Sequence, residues 1–586
     1  MGEEWYLKSY IKQEYQLHTR KDEQMKYKVI KPTLMDETPL ERVLKNRQIA
    51  DLQLYLQTPE QYSLPYNTLR NIDKVVKRIQ EAFENGDVIG LLVDCDVDGY
   101  TSASMIYKYI TALNGAVQIK LFFHEGKQHG LSWDVIDQIR ESGVDLLIIP
   151  DAASSDYEEL EELDKIMDII VLDHHETEEE SEHAIVVNNQ LSPLYKNKQL
   201  SGAGVVYRVC QAMDDYFGVN MAEYLLDLCA LGNIADGMAM NNLDVRYLVQ
   251  QGVKNVNNTL MQCIIEKQSK SMNNRVNITT VGWNVAPMLN AVIRIGTQEE
   301  KQQLFEGFLS DDEEFCMEVV NMCIKVQRKQ SAMVKKLVPV LKDMIEQQQL
   351  LKNKVIILDV TGQGDKEIIG LVANKLLSEY ERPIMLLHEV TNNNNIISGS
   401  VRSPRELTMF KNTCMKTGEF IFCEGHQNAF GCSIQKDKVA SATAKLNQAL
   451  ESENLDSEVA HAVDMVIPYG ALRKSDVFAI GELGDLWGNG VSEPLFVIKG
   501  IKMNADHIKL VGNNNTITFS KSEFSFVKFF TNADTWRDMT MANTGSSKNV
   551  VLDVVCKFKI NEWGGNVKPQ LEIIDFNVTE DDLAFF

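Results

Sequence analysis

The sequence predicts an α/β protein: a parallel-sheet domain joined by a long helix to a second α/β domain, followed by a small C-terminal β-barrel. Three observations predict it. VIGLLVD (88–94), DLLIIPD (145–151) and DIIVLDHH (168–175) are short apolar, β-branched runs that close on acids, with helical patterns between them. Such runs read as strands buried on both faces, and strand–helix alternation implies a parallel sheet. Between about Thr297 and Leu351 the chain is rich in Glu, Gln, Lys and Met and poor in Gly and Pro, which fits one long helix or a helical hairpin. Beyond about 476, PLFVIKGIKM, HIKLVGNNNTITFS and NVVLDVVCKFKI are strand patterns broken by Gly/Asn turns, typical of a small barrel.

The elements follow in order. Residues 1–75 form a polar, partly helical lead-in, and IDKVVKRIQEAFENG (72–86) is a helix that stops on Asn85-Gly86. The first domain, 76–297, runs VIGLLVD, the amphipathic TSASMIYKYITALNG, VQIKLFF, helices near 132–142 and 155–165, then DIIVLDHH and AIVVNN, with helices from Ser201 onward. Residues 298–351 connect it to a second αβ domain at 352–470. The barrel, 476–586, ends in a short acidic tail, EDDLAFF.

Composition narrows the class. A chain of 586 residues is too long for one core. With 44% hydrophobic and 24% charged residues it is ordinary for a soluble globular protein, and no apolar run approaches the roughly 20 residues that span a bilayer. Ten cysteines without a close C-x-x-C pair argue against structural zinc and a disulfide framework, and suit reduced thiols in the cytoplasm. The net charge of −24 argues against a nucleic-acid partner only on average, because EELEEL (158–163) and ETEEESE (176–182) supply much of it as solvated surface.

In open α/β sheets, functional groups gather beyond the carboxyl ends of the strands. There the sequence places Asp94 and Asp96, then Asp151, then Asp173, His174 and His175. Carboxylates bind hard divalent cations, and imidazoles shift preference from Mg²⁺ towards Mn²⁺ or another transition metal. Two such ions about 3.5–4 Å apart activate water and stabilise a leaving oxygen in phosphodiester cleavage. Asp151 is placed to bridge them, and Asp173 suits orienting a histidine. Cys95 alternates away from its neighbouring acids and is expected to be packed.

VDCDVDGYTSA, IIPDA, VLDHHE and LGNIADGM resemble the four ordered motifs of the DHH phosphoesterase superfamily. APMLNAVIRIG (286–296), SGSVRS, EGHQNAFGCSI and INEWGGNVKPQLEIIDF narrow the resemblance to RecJ-like single-stranded-DNA exonucleases with an oligonucleotide-binding (OB) barrel. The resemblance implies metal binding by Asp94, Asp96, Asp151, His174, His175 and Asp236, with Asp96, Asp151, His174 and His175 in catalysis. It implies DNA or phosphate contacts at Arg294, Ser400, Arg402, Gly425 and His426. It further implies a hydrolase that degrades single-stranded DNA 5′ to 3′ with Mn²⁺ or Mg²⁺, in recombination or repair. Single-stranded DNA is the implied partner, with a single-strand-binding protein or helicase as further candidates. Leu92 stands where such proteins usually carry a histidine, which leaves the second of two ions open. The sequence therefore also admits a RecJ-like scaffold weakened in catalysis, or a DHH phosphodiesterase acting on short oligonucleotides. Phe524, Phe526, Trp536 and Trp563 read as barrel filling rather than base-stacking residues.

Overall fold

A computed structural model describes residues 25–31, 37–124, 128–272, 274–390, 393–404, 407–453, 461–541, 549–563 and 566–580. The first 24 residues and the acidic end of the tail, 581–586, lie outside the described residues, as do the side chains of His426 and Trp563. The chain divides into two units. One comprises 51–456 and 485–492; the other comprises 1–50, 457–484 and 493–586.

The larger unit holds two sheets. In the first, β1 (Val88–Val93), β2 (Gln118–Phe123), β3 (Leu146–Pro150), β4 (Asp168–Asp173) and β5 (Ile185–Asn188) lie in the order β2-β1-β3-β4-β5. Every pairing is parallel. The three acid-bearing strand ends, at Asp94, Asp151 and Asp173, therefore face one edge, as strand direction requires. The strands are apolar on both sides because both sides are covered. Leu91, Val93, Ile148 and Ile170 pack with the helices α1 (Ile72–Asn85), α2 (Val97–Leu113) and α5 (Gly202–Phe217). Leu92, Leu147, Ile149 and Val171 pack on the opposite side with α3 (Trp133–Arg140) and α4 (Tyr157–Asp164). In α4, Leu160 and Leu163 are buried, so EELEEL is one amphipathic face rather than wholly solvated surface. Helix α2 starts at Val97, four residues before its amphipathic pattern becomes visible. The Asp96 carboxylate caps it by accepting from Gly99 N at 3.0 Å, and its first turn is buried all round.

Helices α6 (Leu226–Ala235) and α7 (Ala286–Ile295) complete the first domain's helical half. The connector is two helices, α8 (Gln298–Leu309) and the 35-residue α9 (Glu313–Gln347). The second sheet is mixed, in the order β9-β10-β8-β7-β6, from β6 (Ile356–Asp359), β7 (Ile384–Val390), β8 (Asn393–Arg402), β9 (Phe420–His426) and β10 (Ala429–Gln435). Helix α10 (Ile369–Tyr380) packs against it through Val372, Ala373 and Leu376.

In the smaller unit, seven strands pair in one sheet of OB type. It includes Met465–Pro468 and two 15-residue strands, Asn549–Trp563 and Asn566–Glu580. Phe524 and Phe526 are buried, Phe526 stacks on Phe519 at 4.6 Å, and Trp536 donates its indole N–H to the Ile508 carbonyl. Phe519, Phe524 and Phe526 fill the sheet's interior, while Trp536 is half-buried on the short helix Ala533–Met539. The strand Tyr27–Val29 pairs in parallel with His461–Val463, so part of the lead-in belongs to this unit.

A buried polar network ties the first domain's helices together. Asp244 accepts from Tyr195 Oη and Asn197 Nδ2, both at 2.8 Å, from Leu64 N, and from the guanidinium of the buried Arg208. Asp244→Ala would strand that cation in the core, and breaking one side of a buried pair costs about 3–5 kcal/mol. Urea unfolding should show a loss of that size in this unit, against little change for substitutions at exposed acids.

Candidate metal centre

Asp151 follows β3 in a strained turn: its φ is 67° and that of Ala153 is 76°, both left-handed. Non-glycine residues held there cost about 1–2 kcal/mol each, the kind of strain that clusters at functional sites. Asp173, at the end of β4, organises the neighbouring turn. Its carboxylate is fully buried and accepts from His174 N at 2.7 Å, Ser154 N at 3.0 Å and the His175 ring at 2.8 Å. Asn188 and Gln190 hold the carbonyls of His175 and His174, each at 3.0 Å.

This scaffold aims one histidine nitrogen into a set of acids. His174 Nε2 lies 3.2 Å from Asp151 Oδ1, 3.6 Å from Asp236 Oδ2 and 3.9 Å from Asp98 Oδ2. Asp236 arrives from the end of α6, and Asp98 from the first turn of α2. Asp98 also accepts from Gly202 N at 2.7 Å and Ala203 N at 3.0 Å, at the start of α5. Two glycines permit this crowding. A Cβ on Gly202 would lie 2.3 Å from Asp151 Oδ1, and one on Gly232 would lie 2.2 Å from Asp98 Oδ1.

The electrostatics are those of an incomplete site. Burial, reinforced by the charges of Asp98, Asp96, Asp94 and Asp236, pushes the Asp151 carboxyl well above its usual range. Burial and the charges of Asp98 and Asp96 do the same to Asp236, and burial with Asp96 lifts Asp98 to about 6. Asp151 Oδ1 and Asp236 Oδ2 are buried and accept no hydrogen bond. Orphaned buried carboxylate oxygens are costly unless something cationic faces them. Ligand atoms about 2.1 Å from one octahedral ion stand about 3.0 Å apart when adjacent and about 4.2 Å when opposed. The observed separations fit a divalent cation held by Asp98, Asp151, His174 and Asp236.

The expected site residues are distributed as follows. Asp94, Asp96, Asp151, His174, His175 and Asp236 fall in three groups of possible ligands, of which Asp151-Asp173-His174-His175 and Asp98-His174-Asp236 overlap through His174. Asp94, Asp96 and His129 form the third group, with ligand atoms within 4.8 Å of one another. The His175 ring is committed to Asp173 and half exposed, 4.4 Å from the His174 ring. Burial works against its protonation, but Asp173 outweighs it and raises His175 to about 10, which favours the imidazolium while no cation is bound. Cys95 is buried, and burial with the Asp94 charge pushes its thiol up to about 12. Three residues escaped the sequence reading. Asp98 lay in the same acidic run but within a helix. His124 and His129 follow strand β2, and the strand-end rule applied to VQIKLFFHEGKQHG would have flagged both.

Arg294 and Arg402 come together in the same unit. Burial, then the Arg294 guanidinium, brings Arg402 down to about 10, while burial lowers Arg294. No carboxylate among the described residues forms an ion pair with either. Ser400 and Arg402 share one face of β8 and lie against Gly370 at the start of α10, where a Cβ would meet Arg402 Nη2 at 2.9 Å and Ser400 Oγ at 3.3 Å. Gly425 has φ 116°, in the β9–β10 hairpin. A cavity of about 300 Å³ is lined by Arg294, Gln298 and Lys301 on one side and Asp365 and Glu367 on the other.

Known proteins give this geometry a class. Residues 88–233 match the DHH family N-terminal domain, 352–452 the DHHA1 domain and 463–575 the RecJ OB domain. Sheet, acid edge and appended domains thus define a DHH-type phosphoesterase. The chain is 35% identical over 575 residues to YorK of Bacillus subtilis, named as an SPbeta prophage-derived single-strand DNA-specific exonuclease, covering 94% of this chain and 98% of that one. It is 25% identical to the single-stranded-DNA-specific exonuclease RecJ of the same organism, covering 90% of this chain and 66% of that one. The crystal structure of Thermus thermophilus RecJ with Mn²⁺ shares the fold, with a TM-score of 0.70 and 20% identity over 92% of this chain and 76% of the other. The chain belongs to the RecJ family.

Two outcomes follow from the geometry. Gly202→Ala should displace Asp151 and cut Mn²⁺ affinity at least tenfold while far-ultraviolet dichroism stays native; unchanged affinity in a titration would contradict the packing described. The raised acids keep protons that the unfolded chain sheds above about pH 4. In the cation-free protein the contribution of Asp98 to stability therefore falls as pH rises from about 4 through about 6, and those of Asp151 and Asp236 fall as pH rises through their own raised values. Cation binding must expel those protons. Calorimetry near pH 6.5 in buffers of unlike ionisation enthalpy should give different apparent heats, and affinity should rise with pH.

Proposed function

We propose that the chain is a metal-dependent exonuclease that degrades single-stranded DNA 5′ to 3′ to mononucleotides, in the cytoplasm, during recombination or repair. One observation carries the catalytic part: a buried histidine nitrogen within 3.2–3.9 Å of three carboxylates, two of them with orphaned oxygens. The names of YorK and the RecJ relatives support the substrate, and the OB-type sheet supports a grip on unpaired strands. Two Mn²⁺ or Mg²⁺ ions are proposed, which Asp94, Asp96, Asp98, Asp151, His174 and Asp236 would hold at the acid edge. A single-strand-binding protein or helicase is the proposed source of substrate strands. No helix among the described residues is long and apolar enough to cross a membrane.

A divalent cation bound at the acid edge supplies Lewis-acid charge to the scissile phosphate and acidifies an attacking water. The chain's own groups do the rest. Asp98, Asp151 and Asp236 set the position of that charge, and Asp173 fixes the turn that presents His174. The His175 imidazolium, half exposed beside them, offers an N–H to a phosphate oxygen and stabilises charge that develops there. Arg294 and Arg402 offer planar forks for a second phosphate, and Ser400 with the start of α10 adds O–H and N–H donors. Unpaired guanidiniums at this place favour recognition of a terminal phosphate.

Incubation of 5′- and 3′-labelled single-stranded DNA with Mn²⁺ tests the reading. Loss of label should begin at the 5′ end as mononucleotide, and chelation or Asp151→Ala should abolish it. Intact DNA, equal products from the Asp151→Ala protein, or digestion confined to di- and trinucleotides would overturn the assignment. Arg402→Ala should raise KM for 5′-phosphorylated strands about 10- to 100-fold, the worth of one charge-assisted hydrogen bond, with a smaller effect on 5′-hydroxyl strands.

A further inference from the structure

Leu92 is fully buried in the apolar cluster formed with Phe122, Leu147 and Ile149, so it offers nothing to a cation. The imidazoles near Asp94 come instead from the adjacent strand. β1 and β2 pair in register, Val93 opposite Phe123, so Asp94 and His124 leave the sheet side by side. His129 and Gly130 also reach Asp94. His129 Nδ1 lies 2.6 Å from Asp94 Oδ2, and Gly130 N donates to Asp94 Oδ1 at 3.0 Å. Gly130 holds φ at 68°, a turn that a side chain would strain, and a Cβ there would lie 2.3 Å from Asp156 Oδ2.

We propose that Asp94, Asp96 and His129 hold a second divalent cation, with His124 as the buried imidazole facing the same carboxylate, so that the loop after β2 supplies the histidine that β1 lacks. This rests on the metal-dependent reading above. A structural Asp94–His129 pair alone leaves His124 unexplained. That ring is 1% exposed, neither of its nitrogens has a hydrogen-bond partner, and Nε2 lies 3.7 Å from Asp94 Oδ1. A buried imidazole with both nitrogens unused, aimed at a carboxylate already shared with a second histidine, is an unfinished ligand set. Imidazole nitrogen beside carboxylate oxygen favours Mn²⁺ and other transition ions over Mg²⁺. Asp96 shares in this group and also caps α2, whose first turn carries Asp98. The second cation would therefore sit beside the first rather than apart from it.

Mn²⁺ binding is measured on the full chain without DNA, by equilibrium dialysis and by electron spin echo modulation, which reports nitrogen ligands on the ion. The wild type should bind two Mn²⁺ per chain, both coupled to imidazole nitrogen. His129→Ala should bind one, and His124→Ala should weaken only the second ion, at least tenfold. His129 is half exposed on a loop, so its truncation spares the core. His129→Asp adds a control that keeps a ligand: it should retain two ions while shifting the second site at least tenfold towards Mg²⁺. Two full-affinity ions in His129→Ala, one ion in the wild type, or an unchanged second ion in His124→Ala would each overturn the proposal. A wild type that binds two ions as described yet leaves DNA intact would sink the nuclease reading and leave this site standing. Active wild type with two ions undisturbed in His129→Ala would do the reverse.

Discussion

Too many carboxylates meet in too little water. Parallel strands deliver Asp94, Asp151 and Asp173 to one sheet edge, and α2 and α6 add Asp96, Asp98 and Asp236. Burial and mutual repulsion push the carboxyls of Asp98, Asp151 and Asp236 above the usual range and favour their protonation while no cation is bound. Divalent cations resolve the conflict because their binding free energy is larger than the desolvation it must overcome. The rest of the domain can be understood as a means of holding this arrangement until they arrive.

The means are local and nameable. The left-handed turn at Asp151 and Ala153 re-aims a carboxylate that a relaxed strand end would point elsewhere. Gly202 and Gly232 bring helix backbones to within a missing methyl of Asp151 and Asp98. The start of α5 donates two N–H groups to Asp98, which fixes that carboxylate's place in the cluster. Asp173 stands apart: burial would raise its carboxyl, but His175 and His174 hold it below the usual range, and it works as an anchor. Its pairing contributes stability above the ordinary carboxylate pKa that is lost as pH falls through the lowered folded value.

Most of this edge was legible because strand-end acids announce themselves: an apolar run, then Asp, three times over. The fold class was legible for the same reason, since buried parallel strands differ in pattern from the Gly/Asn-punctuated strands near the C-terminus. Asp98 was passed over because it sits one turn into a helix, where an acid reads as a capping or surface residue. His124 and His129 carry no such mark, because the strand before them ends in Phe122-Phe123 with no acid at its end. The pairing of Tyr27–Val29 with His461–Val463 could not be read at all. Three residues joined across more than four hundred carry no local pattern, and contacts that distant are set by the whole fold.

The phosphate-facing side depends on the same logic with the sign reversed. Arg294 and Arg402 are gathered and buried without a partner carboxylate, as the acids are gathered without a cation. A phosphodiester strand, anionic and presented beside divalent ions, would satisfy both deficits together. The most direct measurement is anomalous diffraction at the manganese edge from crystals grown with Mn²⁺. The account predicts a peak enclosed by His174, Asp151, Asp236 and Asp98. Full Mn²⁺ occupancy elsewhere on the chain, with no density among those four residues, would contradict it.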